Sequence, residues 1–191
     1  MIPALVLAFL SGFIALSYEI LWYRAYAFMS GGAADTFGLM LGSYLAGIAL
    51  GALAVGRVCR DGDQAARDDL QRTLFLLTLA ANFLGYFVVP ALSVLAVRGW
   101  SWKAALPLVG MAAAGLGAVF PLAAHLYVEP DERAGRWVSY VYLSNILGST
   151  LGSLLTGFVL LDRWSLAGIH RFQICLGLGL GLFLLPLARK G

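Results

Sequence analysis

Six apolar runs, at about 4–28, 37–57, 73–97, 104–128, 137–161 and 172–188, each come close to or exceed the roughly 20 residues that a helix needs to cross a bilayer. In lipid a helix satisfies its backbone polar groups internally, whereas a strand must close into a barrel to do so. None of the runs alternates apolar and polar residues as barrel strands do. The expectation is therefore an all-α integral membrane protein, a six-transmembrane-helix bundle that forms a single domain over residues 1–191. Composition agrees, with 61% hydrophobic and 12% charged residues, whereas a soluble domain carries about a quarter charged.

The ends of the runs carry their own signals. Trp100, Trp102, Trp137 and Trp164 all fall at span ends, where amphipathic rings favour the interface. Arg57, Arg60, Arg67, Arg72, Arg133, Arg136, Arg189 and Lys190 would lie on one face, and Arg98, Lys103, Arg163 and Arg171 on the other, joined by Arg24 if it reaches outward. This bias predicts cytoplasmic termini, and the 57–72 connection, read as a solvated loop, supplies half of it. The net charge of +3 resides in the loops, so it marks orientation and no nucleic-acid partner is expected. The first run lacks a basic leader and continues through Glu19 and Arg24, so it is expected to be retained as a span. Cys59 and Cys175 are predicted on opposite faces, roughly 30 Å apart, too far to pair, and two lone thiols make no metal site. Pro90 and Pro121 lie inside the third and fourth spans and are expected to kink or break them.

Two spans resemble each other. LGSYLAGIALG, residues 41–51, matches LGSTLGSLLTG, residues 147–157, three helices later. With opposite directions through the membrane, this spacing would make an inverted 3+3 repeat, as in halves of many secondary transporters. Ser43, Gly47 and Gly51 share one helix face, as do Ser144, Gly148 and Gly152. Such small faces let backbones approach closely, so the second and fifth helices are expected to be central.

The stretch SYEILWYR, residues 17–24, places a carboxylate and a guanidinium within an otherwise apolar run. At 100° per residue, Trp22, Tyr23 and Tyr26 fall in an arc around Glu19, and Arg24 lies on another side. Arg24 is expected at the interface, reaching the headgroups or Asp35. An unpaired carboxylate near mid-membrane costs about 3 kcal/mol. Glu19 is thus expected to be protonated, paired across helices, or facing a polar cavity. His125 would lie roughly 18 Å deeper along the helix rise, and Asn145 is closer in depth. Two readings stand side by side. Glu19 with Tyr18, Trp22, Tyr23 and Asn145 binds an organic cation or carries a proton, or Glu19 is a buried polar residue that fixes helix register. His125 is expected at the interface, and Asn82 as an interhelical hydrogen-bonder.

A family resemblance rests on Gly12-Phe13, Tyr18-Glu19, Trp22 and Arg24; on Leu45-Ala46-Gly47 with Gly51 and Gly56-Arg57; on Gly117 with Phe120-Pro121-Leu122; and on Tyr142, Asn145, Leu147-Gly148, Gly152 and Gly157-Phe158. In these the chain resembles the membrane domain of the bacterial spermidine synthase-like membrane proteins, which join a bundle similar to a major facilitator half to an aminopropyltransferase-type domain. One element departs from the facilitator pattern, since Gly56-Arg57-Val58-Cys59-Arg60-Asp61 reverses its last pair.

The resemblance implies a bacterial inner-membrane protein of transporter-like fold; with Glu19 as the coupling or substrate carboxylate, the expectation is that it binds or moves a small cationic (polyamine-like) or amphipathic metabolite as a homodimer. No glycine-rich loop follows a strand and no acidic pair is set to hold a diamine, so the chain is not expected to be an enzyme or to carry a cofactor. Expected partners are membrane lipid, a second copy or other membrane subunits, and a separate cytoplasmic aminopropyltransferase-like protein. The alternative is a non-catalytic subunit, anchor or assembly factor of a larger membrane complex.

Overall fold

The computed structural model describes residues 2–59, 64–128 and 132–188, and among these all regular structure is helical. The elements are α1 (Ile2–Met29), α2 (Asp35–Val58), α3 (Gln64–Val97), a 3-10 turn (Trp102–Ala105), α4 (Leu106–Tyr127), α5 (Ala134–Leu154), a π segment (Leu155–Leu160), the single turn α6 (Leu161–Arg163) and α7 (Leu166–Ala188). Six stretches are long and apolar enough to span a bilayer, the pattern of a multi-pass membrane protein. One face of the bundle carries Ile2, Tyr127 and Ala134. The opposite face, called here the loop face, carries Met29, Asp35, Val97 and Leu166.

The helix α1 is the hub. It packs on α2, α3, α4, α5 and α7, and residues such as Leu7, Tyr18, Leu21 and Trp22 have no exposed surface. The remaining contacts are uneven: α2 lies against α4, α5 lies against α1, and α3 bridges α4 and α7. Glycine sets the two closest of these seams. A Cβ at Gly47 would meet the Gly110 carbonyl and one at Gly51 the Ala114 carbonyl, while Cβ atoms at Gly148 and Gly152 would meet the Phe9 and Phe13 carbonyls. Ser144 Oγ donates to the Leu5 carbonyl at 2.8 Å along the same stripe.

The expectation that these glycine faces make α2 and α5 central is corrected. Each spends its small face on one helix, α4 or α1, and although α2 also seats Met40 and Tyr44 inside, both helices leave much of their surface exposed, as Leu50, Leu53, Leu147 and Phe158 show. Among the described residues no packed seam joins α2 to α5.

Neither proline breaks its helix. Pro90 lacks the N–H that would bond the Tyr86 carbonyl, and His170 of α7 meets that oxygen through Nε2 at 2.6 Å. Instead the irregular helix is α5. Its π segment begins at the turn where Ser17 Oγ donates to the Gly152 carbonyl at 3.3 Å and Thr156 Oγ1 donates to Ser17 Oγ at 2.9 Å.

Other sequence expectations shift. The 57–72 connection is helical from Gln64 on, so it is not simply a loop; Arg60, Asp61, Arg189 and Lys190 lie outside the described residues. Cys175 sits well inside α7, not at its loop-face end, and both cysteines are free. Arg24 does not reach Asp35, because Lys103 Nζ holds that carboxylate at 2.7 Å. The tryptophans keep their expected places: Trp100 follows α3, Trp102 opens the 3-10 turn, and Trp164 follows α6.

Candidate functional site

Glu19 is half-buried on α1 and makes no hydrogen bond or ion pair with another described residue. Its direction follows from its neighbours. Ala15, one turn below, accepts a hydrogen bond at 3.1 Å from Tyr44 of α2, and Tyr23, one turn above, meets Phe37 of α2 edge-on with ring centroids 5.4 Å apart. Ile20, one residue on, faces Gly157 in the π segment after α5. With contacts to α2 one turn below and one turn above it, and the π segment 100° further round, Glu19 faces α2 on the side that opens toward α5.

The structure does not gather the other expected site residues around this carboxylate. Tyr18 and Trp22 are sealed inside, stacked with centroids 5.3 Å apart, and both point at α3. Trp22 Nε1 donates to the Gly85 carbonyl at 3.2 Å, and Tyr18 Oη to the Asn82 carbonyl at 3.4 Å. Tyr26 is buried against Trp102. The reason is the position of α1: a hub helix uses most of its circumference for packing, so its aromatics fill contacts and leave Glu19 with one open sector. Tyr23, which is exposed, is the aromatic left beside that sector.

Asn145 is placed elsewhere too. Its side-chain oxygen would lie 2.8 Å from a Cβ at Gly12, so it abuts α1 at that level, about 10 Å of helix rise from Glu19. His125 is exposed near the end of α4 opposite the loop face. Ser43, Gly47, Gly51, Ser144, Gly148 and Gly152 serve the two helix seams.

A second polar group, which sequence reasoning passed over, lies where α1, α3 and α7 meet. His170 and Gln173, one turn apart on α7, are buried, as are Thr78 and Asn82 of α3. His170 stacks on Tyr86 at 4.8 Å and meets Tyr18 edge-on at 6.0 Å. Asn82 Nδ2 donates to the Thr78 carbonyl at 2.8 Å within its own helix, so its interhelical bond is through its main-chain oxygen, which accepts from Tyr18. With Nε2 directed at Tyr86, a neutral His170 presents Nδ1 as an acceptor. That atom, Asn82 Oδ1 and both ends of the Gln173 amide have no hydrogen-bond partner among the described residues. The available signal was a histidine and a glutamine spaced i, i+3 within an apolar run, opposite a span that contains a proline.

These features describe a bundle with one unpaired carboxylate on its open flank and a buried polar group in its interior. Comparison with protein-family models, with curated proteins and with solved structures finds no match to this chain.

Proposed function

We propose that the chain is half of a transporter-like inner-membrane protein, works as a homodimer, and binds or moves a small cationic metabolite such as a polyamine. The carrying observation is Glu19, a half-buried carboxylate with no ion-pair partner among the described residues, on the α2 side of α1 and beside the unpacked flank of the two most exposed helices. A second bundle laid on α2 and α5 would cover that flank and turn it into an enclosed site. It would also bring a second Glu19, so that one dimer offers two carboxylates to a ligand with two or more amines. Charged side chains inside membrane spans mark ion and substrate pathways, and Tyr23 adds a ring face for an ammonium group.

The same reading includes an inverted 3+3 repeat. One constant spacing relates Ser43 to Ser144, Gly47 to Gly148, Gly51 to Gly152, Phe9 to Gly110 and Phe13 to Ala114. The glycines in each half therefore press on equivalent carbonyls of the other half's first helix. This register supports the repeat better than the local sequence match, which equates Gly42 with Gly148 even though a Cβ at Gly42 would meet nothing within 4 Å. Membership in the spermidine synthase-like membrane family, a bacterial inner-membrane location and cytoplasmic termini belong to the same proposal. So does a separate cytoplasmic aminopropyltransferase-like partner, which would leave this chain without catalysis of its own.

The broad apolar surface of α2 and α5 favours one other reading, a non-catalytic subunit or assembly factor that seats foreign helices there. A single experiment separates the two. Purified chain in mild detergent, observed by native mass spectrometry with added spermidine, is expected to run as a dimer that retains the cation. Glu19→Gln is expected to remain dimeric and bind about tenfold more weakly. Binding that is indifferent to the substitution sinks the carrier reading. Recovery only in assemblies with other membrane proteins, with no cation retained, favours the subunit reading.

A further inference from the structure

The loop-face end of the bundle contains a cavity of about 480 Å³ that the Glu19 site does not use. Its walls come from three places in the chain: Phe28 and Met29 at the end of α1, Leu92 and Ser93 on α3, and Trp164 at the corner between α6 and α7. The lining is apolar except for Ser93 and one charge, Arg24. Ser93 Oγ already donates to the Val89 carbonyl at 3.1 Å, so its proton is spent within α3. Arg24 is exposed and makes no hydrogen bond or ion pair with another described residue, and Asp35, the partner offered by the sequence, is held by Lys103.

The surroundings favour a negative ligand group. No acidic residue lines the cavity. Leu166, the first residue of α7, forms part of the wall, so the positive end of a helix of 23 residues borders the same cavity as Arg24. A second cavity, of about 390 Å³, adjoins the first through Ser93 and Leu166 and brings in Arg171, again with no acid. The two cavities are mostly apolar, with Ser93 and His170 as polar wall residues and one arginine in each lining, Arg24 or Arg171, and the first includes Trp164, a residue type that favours the bilayer interface. The volume of the first is that of sites that enclose most of a small ligand.

We infer that this groove binds one anionic phospholipid of the surrounding bilayer, its acyl chain between α1 and α3 and its headgroup oxyanion on Arg24. The planar guanidinium donates two parallel N–H groups, which match a phosphate, and the apolar walls match the chain. The site is independent of Glu19, which does not line either cavity.

The full chain, delipidated in detergent, would be offered phosphatidylglycerol, phosphatidylethanolamine or palmitate and examined by native mass spectrometry. The expected result is retention of phosphatidylglycerol about tenfold above phosphatidylethanolamine. Arg24→Gln should bring the two lipids to parity. Ala96→Trp, which fills the cavity from an exposed position on its wall and leaves the charge alone, should release both. Circular dichroism checks that each variant keeps its helices, and if one fails to fold the other carries the test. Retention of palmitate with rejection of phosphatidylglycerol overturns the bilayer lipid as the ligand. A preference for phosphatidylglycerol that survives Arg24→Gln, or retention of either lipid that survives folded Ala96→Trp, overturns the site.

Discussion

Gly148→Leu is expected to destabilise the bundle by about 3 kcal/mol, read as a shift of the unfolding midpoint in mixed micelles of mild and denaturing detergent. The reason is the backbone: an added Cβ at Gly148 meets the Phe9 carbonyl, an atom of α1 that no rotamer can move aside. Both helices must separate, and α1 is the hub, so the displacement spreads to its contacts with α3 and α7. Gly51→Leu should cost a similar amount through the Ala114 carbonyl of α4. Gly42→Leu is the control, on the same helix as Gly51 but with open space where its Cβ would project, and should change little. Equal damage at Gly42 and Gly51 would refute the close seam between α2 and α4.

His170→Leu should cost about 2 kcal/mol in the native background and much less beside Pro90→Ala. Proline at 90 leaves the Tyr86 carbonyl without its helical donor, and His170 Nε2 stands 2.6 Å from that oxygen. Alanine at 90 restores an N–H in the same helix, so the imidazole becomes dispensable for this bond. The double-mutant cycle reads the coupling directly, and a cost of His170→Leu that is the same in both backgrounds would show that the pair acts separately. His170 also packs on Tyr18 and Tyr86, so some loss should persist in the alanine background.

Much of the fold was legible because lipid leaves a chain few options. Runs of bilayer length became helices, and tryptophans marked their ends. Ser165 offered one more readable signal: its Oγ accepts from the Gly168 N–H at 3.2 Å, which starts α7 at Leu166, ahead of the apolar run itself. The small faces of α2 and α5 were also readable, although not what they imply about position, because a glycine stripe shows that one close neighbour exists and not how many.

The site was less legible, for a related reason. Helical geometry correctly grouped Glu19 with Trp22, Tyr23 and Tyr26 in angle. It contains no information on where the neighbouring helices stand, and α3 and the turn at Trp102 occupy the sectors of Trp22 and Tyr26. The polar group around His170 and Gln173 was missed because its logic runs between helices: a proline on α3 creates an acceptor that a residue on α7 must meet.

The π segment gives α5 spare length. A stretch bonded five residues apart holds one residue more than an α-helix needs between the same two flanks. Below the segment, Gly148 and Gly152 clamp α5 to α1 like a fixed bearing. Above it hang Leu161 and Trp164, which form one wall of the Arg24 groove. The wall of that groove therefore begins just past the extra residue of the π segment, which Thr156 ties to Ser17 of α1, so the added residue sets where Leu161 and Trp164 stand over the groove.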